Sequence, residues 1–472
     1  MLTSTDINLN FIKVITQMKK RILAASSVLF VALVLPPWLL GFSIFHLGHA
    51  IEVATSLSAK LACSARYVSL FEPKQIVSDL STYSPVTELV ELNYADDPKK
   101  VTASLFGMSK VTAEYREGAG CTLRVDNDTP LPPVKIRSAH SNQDAPWPAG
   151  VNTPDVSSKI QLLAQTILQQ DNSSGLNTRA LVVIKDGKLI AESYGQGVTS
   201  STPLLGWSMA KSVTAMLVGA MNKMHLIQLN QNGLFTQWQD DDRANIQLNQ
   251  LLTMTSGLGF DETYAPGSDA THMLFTAQSA SDVAMQSKVQ ENIGQHFYYS
   301  SGTTNLLMRL IHQTLGNSPT SDQLFLSQKI LAPAGIQTAV FETDSSGVLV
   351  GSSYLYASAR DWARFGLIML QNGRINNNQV LSSKWVTKAT LPNSSENEKA
   401  YGYQFWLNRG DATLRWPELP EDAYAMLGNR KQSVMIIPSE NVIFVRLGWT
   451  SGEYPMVDNY RKLLDKVQSM AN

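Results

Sequence analysis

The 472-residue sequence predicts an α/β protein of the α+β kind. An antiparallel sheet is flanked by helices, with a mostly helical lobe inserted between early and late strands. Three observations point there. Arg179–Lys185 and Lys188–Ser193 are short β-rich runs joined by Asp186-Gly187, a dipeptide suited to the left-handed positions of a hairpin turn. Helical periodicity then dominates, from Gly206 to about Met224, over Ile246–Met254, Thr303–Leu315 and Ser358–Leu370. The chain finally returns to β in Tyr401–Leu407, Ser433–Ile437 and Val442–Leu447, before a closing helix, Met456–Met470. One sheet built from both ends of the domain accommodates that order. No internal repeat is present, which excludes solenoids and propellers.

In chain order, residues 1–21 form a short, mildly basic tail. Residues 22–45 are uncharged and come directly after Lys19, Lys20 and Arg21. That length spans a bilayer and the flank obeys the positive-inside rule, so a single-pass signal anchor is expected. It would place the rest outside the cytoplasmic membrane, in the periplasm or its equivalent. A cleaved signal peptide ending near Gly48-His49-Ala50 is the alternative; the long apolar run favours the anchor. The only two cysteines, Cys63 and Cys121, lie beyond it and are expected to pair in an oxidising compartment.

Residues 51–128 carry strand-like runs, Lys100–Leu105 and Cys121–Val125, in a region too small to stand alone and so expected to pack on the later part of the chain. Residues 129–154 contain six prolines and read as a linker or surface strap. The main domain, residues 155–472, opens with a helical pattern to about Gln170.

The 38 basic and 39 acidic residues nearly cancel, and no basic stripe alternates with aromatics, which argues against nucleic acid as a partner. Asp240-Asp241-Asp242-Arg243 reads as a solvated turn, because metal ligands must be spaced to converge. Seven scattered histidines show no ligand spacing either. No metal or organic cofactor is expected.

The chemistry centres on Gly206-Trp207-Ser208-Met209-Ala210-Lys211-Ser212. Residues three apart share a helix face, so Ser208 and Lys211 point the same way. A hydroxyl becomes a useful nucleophile beside a base, and a lysine is a base only where burial disfavours its charge. The plain alternative is a helix-capping serine with a solvated lysine. The same letters approximate a G-x-S-x-G elbow, but Ala210 replaces the second glycine and no histidine lies beyond His312 to complete that triad. Gly294-Gln295-His296-Phe297-Tyr298-Tyr299-Ser300-Ser301-Gly302 adds a tyrosine on a loop before a helix. Leu252-Thr253-Met254-Thr255-Ser256-Gly257-Leu258 lies between the two motifs.

With these motifs the chain resembles the penicillin-recognising serine hydrolases, the family of class C β-lactamases, D-alanyl carboxypeptidases, related esterases and 6-aminohexanoate-oligomer hydrolases. The likeness covers roughly residues 179–447. It implies a serine β-lactamase/DD-peptidase-like fold, with Ser208 as acylated nucleophile, Lys211 as its base and Tyr299 as proton relay. Ser301 stands where asparagine often does and is expected to donate to substrate. The third motif of the family is matched only loosely by Tyr424-Ala425-Met426-Leu427-Gly428-Asn429-Arg430-Lys431-Gln432, which makes Gly428 and Asn429 candidate substrate-binding positions. Recognition of a penicillin-type carboxylate would then need Arg430 or Lys431. The implied activity is two-step hydrolysis of small esters or amides. A cell-wall D-alanyl carboxypeptidase, a β-lactamase and a non-catalytic binding protein of the same fold are the alternatives. Residues 261–275 are expected to line the cleft.

Overall fold

The computed structural model describes residues 47–125, 131, 145–152 and 158–471. The anchor expected at residues 22–45 lies outside them, and among the described residues no helix is long and apolar enough to cross a membrane.

The N-terminal region begins with α1 (Leu47–Tyr67), a 21-residue helix that the strand-like runs of this region do not suggest, and α2 (Pro73–Ser81). The meander β1 (Val90–Asp96), β2 (Lys99–Leu105), β3 (Met108–Arg116) and β4 (Gly120–Leu123) forms an antiparallel sheet against which α1 packs. The expected run Cys121–Val125 is shorter as a strand, ending at Leu123. Cys63 on α1 and Cys121 on β4 are joined by a disulfide, with Cα atoms 6.0 Å apart.

This region does pack on the main domain. Lys60 on α1 is buried and pairs with the buried Glu342 of that domain. Glu342 also accepts from Ser64 Oγ at 2.8 Å and from the Cys121 N–H at 2.6 Å. Its carboxylate is thus fully coordinated, as burial of a charge requires. Of the proline-rich stretch, residues 145–152 bind as a strap: Arg364 donates to the Pro148 and Gly150 carbonyls, and Trp147 Nε1 to that of Gly187.

The main sheet has six antiparallel strands, in the spatial order β7 (Trp406–Leu407), β8 (Tyr424–Gly428), β9 (Gln432–Ile437), β10 (Val442–Gly448), β5 (Thr178–Lys185) and β6 (Lys188–Tyr194). The last strand therefore pairs with the first, Phe444 opposite Val183. Because side chains alternate along a strand, β5 serves two cores. Leu181 and Val183 pack with Ile160, Leu463 and Leu464, from α3 (Ser158–Ser173) and the closing helix Met456–Ala471. Ala180, Val182 and Ile184 join the larger core on the other face, which includes the helix Ala359–Leu370. Burial on both faces explains why β5 reads as a continuous apolar run.

The expected strand Tyr401–Leu407 is corrected to the two residues Trp406–Leu407. The preceding chain makes a tight turn, with Gln404 at φ 61°. Its side chain donates to the Leu252 carbonyl and accepts from Thr304, while its carbonyl accepts from Ser212. The aromatic residues that mimic a strand here pack instead on other rings, Tyr401 on Phe297, Tyr403 on Trp385 and Phe405 on Tyr424.

Candidate active site

The helix α4 (Met209–Lys223) is buried on every side from Met209 to Met221, as its uninterrupted apolar and small residues require. Ser208 stands just before it. An ordinary capping serine has extended backbone angles and accepts a helix N–H. Ser208 instead has φ −62° and ψ −8° and makes no capping bond, so its hydroxyl is available for other contacts. Trp207 before it is held at φ 49°, a left-handed conformation unfavourable for a bulky residue. Tyr83, Tyr354 and Trp449 surround its indole, with ring centroids 6.2–6.4 Å away. Packing thus fixes the backbone that presents Ser208.

Lys211 is only 1% exposed. Its Nζ lies 3.1 Å from Ser208 Oγ, 2.9 Å from Ser301 Oγ and 3.3 Å from the Ser352 carbonyl. Burial lowers its pKa to about 8, against a smaller opposing pull from Glu262. A substantial neutral fraction therefore exists at mildly alkaline pH.

The loop 294–300 leads into α5 (Ser301–Thr314), where three consecutive residues take separate tasks. The Tyr299 side chain faces Ser208, and burial raises its phenol well above the usual range. The Lys211 ammonium sits 4.8 Å from its ring centroid, and Trp406 stacks on it at 5.2 Å. Ser300 caps the helix by accepting from the Thr303 N–H. Ser301 is fully buried, and both its N–H and hydroxyl donate to Glu262, at 2.6 and 2.5 Å. The expected substrate donor is therefore a link between Lys211 and a carboxylate, its proton already committed.

Glu262 is a site residue that no motif singles out, although it lies within the stretch 261–275 expected to line the cleft. Nearby, Gly302 leaves room for the Phe260 ring, from which a Cβ would lie only 2.6 Å away. The helix start favours the anion, while burial raises its pKa. Thirty-nine residues separate the partners, so no local spacing could reveal them.

Gly428 and Asn429, at the end of β8, lie beside this turn. A Cβ on Gly428 would fall 2.1 Å from the Gly206 carbonyl oxygen, so only glycine lets the strand end approach so closely. Asn429 is exposed at the strand end, its Oδ1 accepting from the Arg430 N–H. The cations considered for carboxylate recognition are engaged elsewhere. Arg430 is buried over the Tyr83 ring and donates to the Thr82 carbonyl, and Lys431 pairs with Glu453. Among the described residues no cluster of histidine, cysteine, aspartate and glutamate could hold a metal ion.

A serine and a buried lysine at the start of α4 thus meet a tyrosine from the loop before α5, at the end of an antiparallel sheet strand. Residues 163–466 match the Beta-lactamase family, and the chain belongs to that family. Among solved structures, the fold is similar to a Bacillus anthracis protein provisionally named as a 6-aminohexanoate-dimer hydrolase. The TM-score is 0.58 and the identity 21%, over 72% of this chain and 92% of the other. It is also similar to EstCE1, a hydrolase with promiscuous acyltransferase activity (TM-score 0.55, 14% identity, 65% and 98% covered). A penicillin-binding protein homolog from Caulobacter crescentus gives a TM-score of 0.51 at 13% identity, with 68% and 100% covered. An uncharacterized protein of Alkalihalophilus pseudofirmus is 30% identical over 98 residues, which is 20% of this chain and 29% of that curated relative.

Proposed function

We propose that the protein hydrolyses small carboxylic esters or amides through an acyl-enzyme on Ser208. The observation carrying this reading is the Lys211 Nζ to Ser208 Oγ contact at 3.1 Å, made by a lysine whose pKa burial brings to about 8. Neutral Lys211 takes the hydroxyl proton as Ser208 Oγ bonds to the carbonyl carbon. The oxyanion is received by the Ser208 N–H and a backbone N–H at the end of β8, near Gly428 and Asn429. Tyr299, beside Ser208 and Lys211, relays the proton from the Lys211 ammonium to the leaving oxygen or nitrogen as its bond to carbon breaks. Water then attacks the acyl-enzyme, giving up one proton to the same base and releasing the acid and Ser208.

The relatives support hydrolysis in general: one carries the provisional name of a 6-aminohexanoate-dimer hydrolase and another is named a hydrolase with promiscuous acyltransferase activity. The burial of Arg430, which donates to the Thr82 carbonyl, disfavours its use in holding the carboxylate of a β-lactam or D-alanyl peptide and leaves the surface cation Lys431 for that task. The uncharged run at 22–45 after three cations, and the disulfide beyond it, support a membrane-anchored, extracytoplasmic location.

Fluorophosphonate labelling and p-nitrophenyl acetate turnover test the proposal. The wild type is expected to react and Ser208→Ala not to; equal rates for the two would end it. Turnover of nitrocefin would move the assignment to a β-lactamase.

A further inference from the structure

Beside the nucleophile lies a cavity of about 470 Å³ that the family's catalytic machinery does not itself account for. One wall is α1, through Ala50, Val53, Ala54 and Leu57. Their spacing of three, one and three residues places them on a single helix face. Phe275 and Pro266 of the main domain line the cavity too, as does Val86 of the N-terminal region. Three of the lining hydroxyls are already used: Thr87 donates to the Leu80 carbonyl, Thr271 to that of Ala265 and Thr263 to Asp261, while the buried Tyr83 hydroxyl has no partner among the described residues. What they leave is a largely apolar interior, of a volume that holds small organic molecules.

The cavity borders the residues that flank the site. Trp207, Tyr264 and Asn429 also line it. Trp207 precedes the nucleophile, Tyr264 lies two residues after Glu262, and Asn429 follows Gly428, which abuts Gly206. The buried Trp207 indole N–H has no partner among the described residues, so a polar atom entering from the site end would find a donor.

We infer that the N-terminal region completes the substrate site, its helix α1 forming a pocket for a medium-length hydrocarbon chain carried by the ester or amide. This rests on the hydrolase reading above. A wall contributed by residues before the catalytic domain makes substrate choice a property of the combined unit, which Glu342 holds in register by pairing with Lys60 and accepting from the Cys121 N–H.

The test uses the full chain with p-nitrophenyl esters from acetate to decanoate and alkyl acetates from butyl to decyl, so that either side of the bond is covered. In at least one series kcat/KM is expected to rise about fourfold per methylene until the cavity is filled, from ~0.8 kcal/mol per buried methylene. Ala54→Phe, which fills the pocket, and Val53→Trp, at a half-buried position, are each expected to lower the ratio of longest to shortest substrate at least tenfold. Flat profiles in both series, or a rise that survives both variants, overturn the inference. Ser208-dependent acetate turnover with a flat profile removes the pocket alone. Absence of any Ser208-dependent turnover removes the hydrolase reading and the pocket with it.

Discussion

Ser301 Oγ donates to Glu262 Oε1 at 2.5 Å, while the Ser301 N–H donates to the other oxygen of the same carboxylate. Two donors aimed at one carboxylate fit its ionised form. Since Ser301 Oγ also accepts from Lys211 Nζ at 2.9 Å, a negative charge sits one hydroxyl away from the proposed base.

That charge stabilises the Lys211 ammonium and so raises its pKa, against the larger effect of burial. In the wild type, kcat/KM for p-nitrophenyl acetate is expected to rise through pH about 8 as the lysine becomes neutral. Glu262→Gln removes the stabilising charge, the lysine pKa falls, and the rising limb moves to lower pH by about one unit. A limb that stays in place, or moves to higher pH, would show that Glu262 does not act on the base.

Lys211→Met keeps the length of the side chain and removes the amine. The expected loss in kcat/KM is ~10²–10⁴-fold, the usual contribution of a positioned base. The limb near pH 8 should vanish with it. Far-UV dichroism and thermal melting distinguish this from misfolding; undiminished turnover would remove lysine from the mechanism.

Lys60 and Glu342 form the ion pair that locks the N-terminal region to the main domain. Lys60→Met strands a buried carboxylate and is expected to cost about 3–5 kcal/mol in urea unfolding. Adding Glu342→Gln should recover part of that, because the stranded charge is gone. If the double variant is no more stable than the single one, the cost lies in packing around Lys60.

The Cys63–Cys121 bridge spans 58 residues of sequence. Chain-entropy arguments assign a bridge of that span about 4 kcal/mol. Melting the wild type with and without reductant under denaturing conditions, beside Cys63→Ala/Cys121→Ala, measures it. Since the Cys121 N–H also serves Glu342, this loss and that of Lys60→Met are expected to be non-additive. Additive losses would mean that the two ties act on separate units.

The sequence by itself determined what local chain geometry controls. Asp186-Gly187 sets the β5–β6 hairpin, and helical spacing puts Ser208 and Lys211 on one face; both stand where the pattern placed them. The family likeness supplied Tyr299, which stands near Lys211 across a stretch of chain that no periodicity measures. Only the tertiary structure decided the rest. It buried Lys211, spared Ser208 from capping, brought Glu262 to Ser301, turned Arg430 away to Thr82, and set α1 against the site. The reason is physical: periodicity reports which face of an element is apolar. The charge state and partners of a polar group depend on which distant segments close over it.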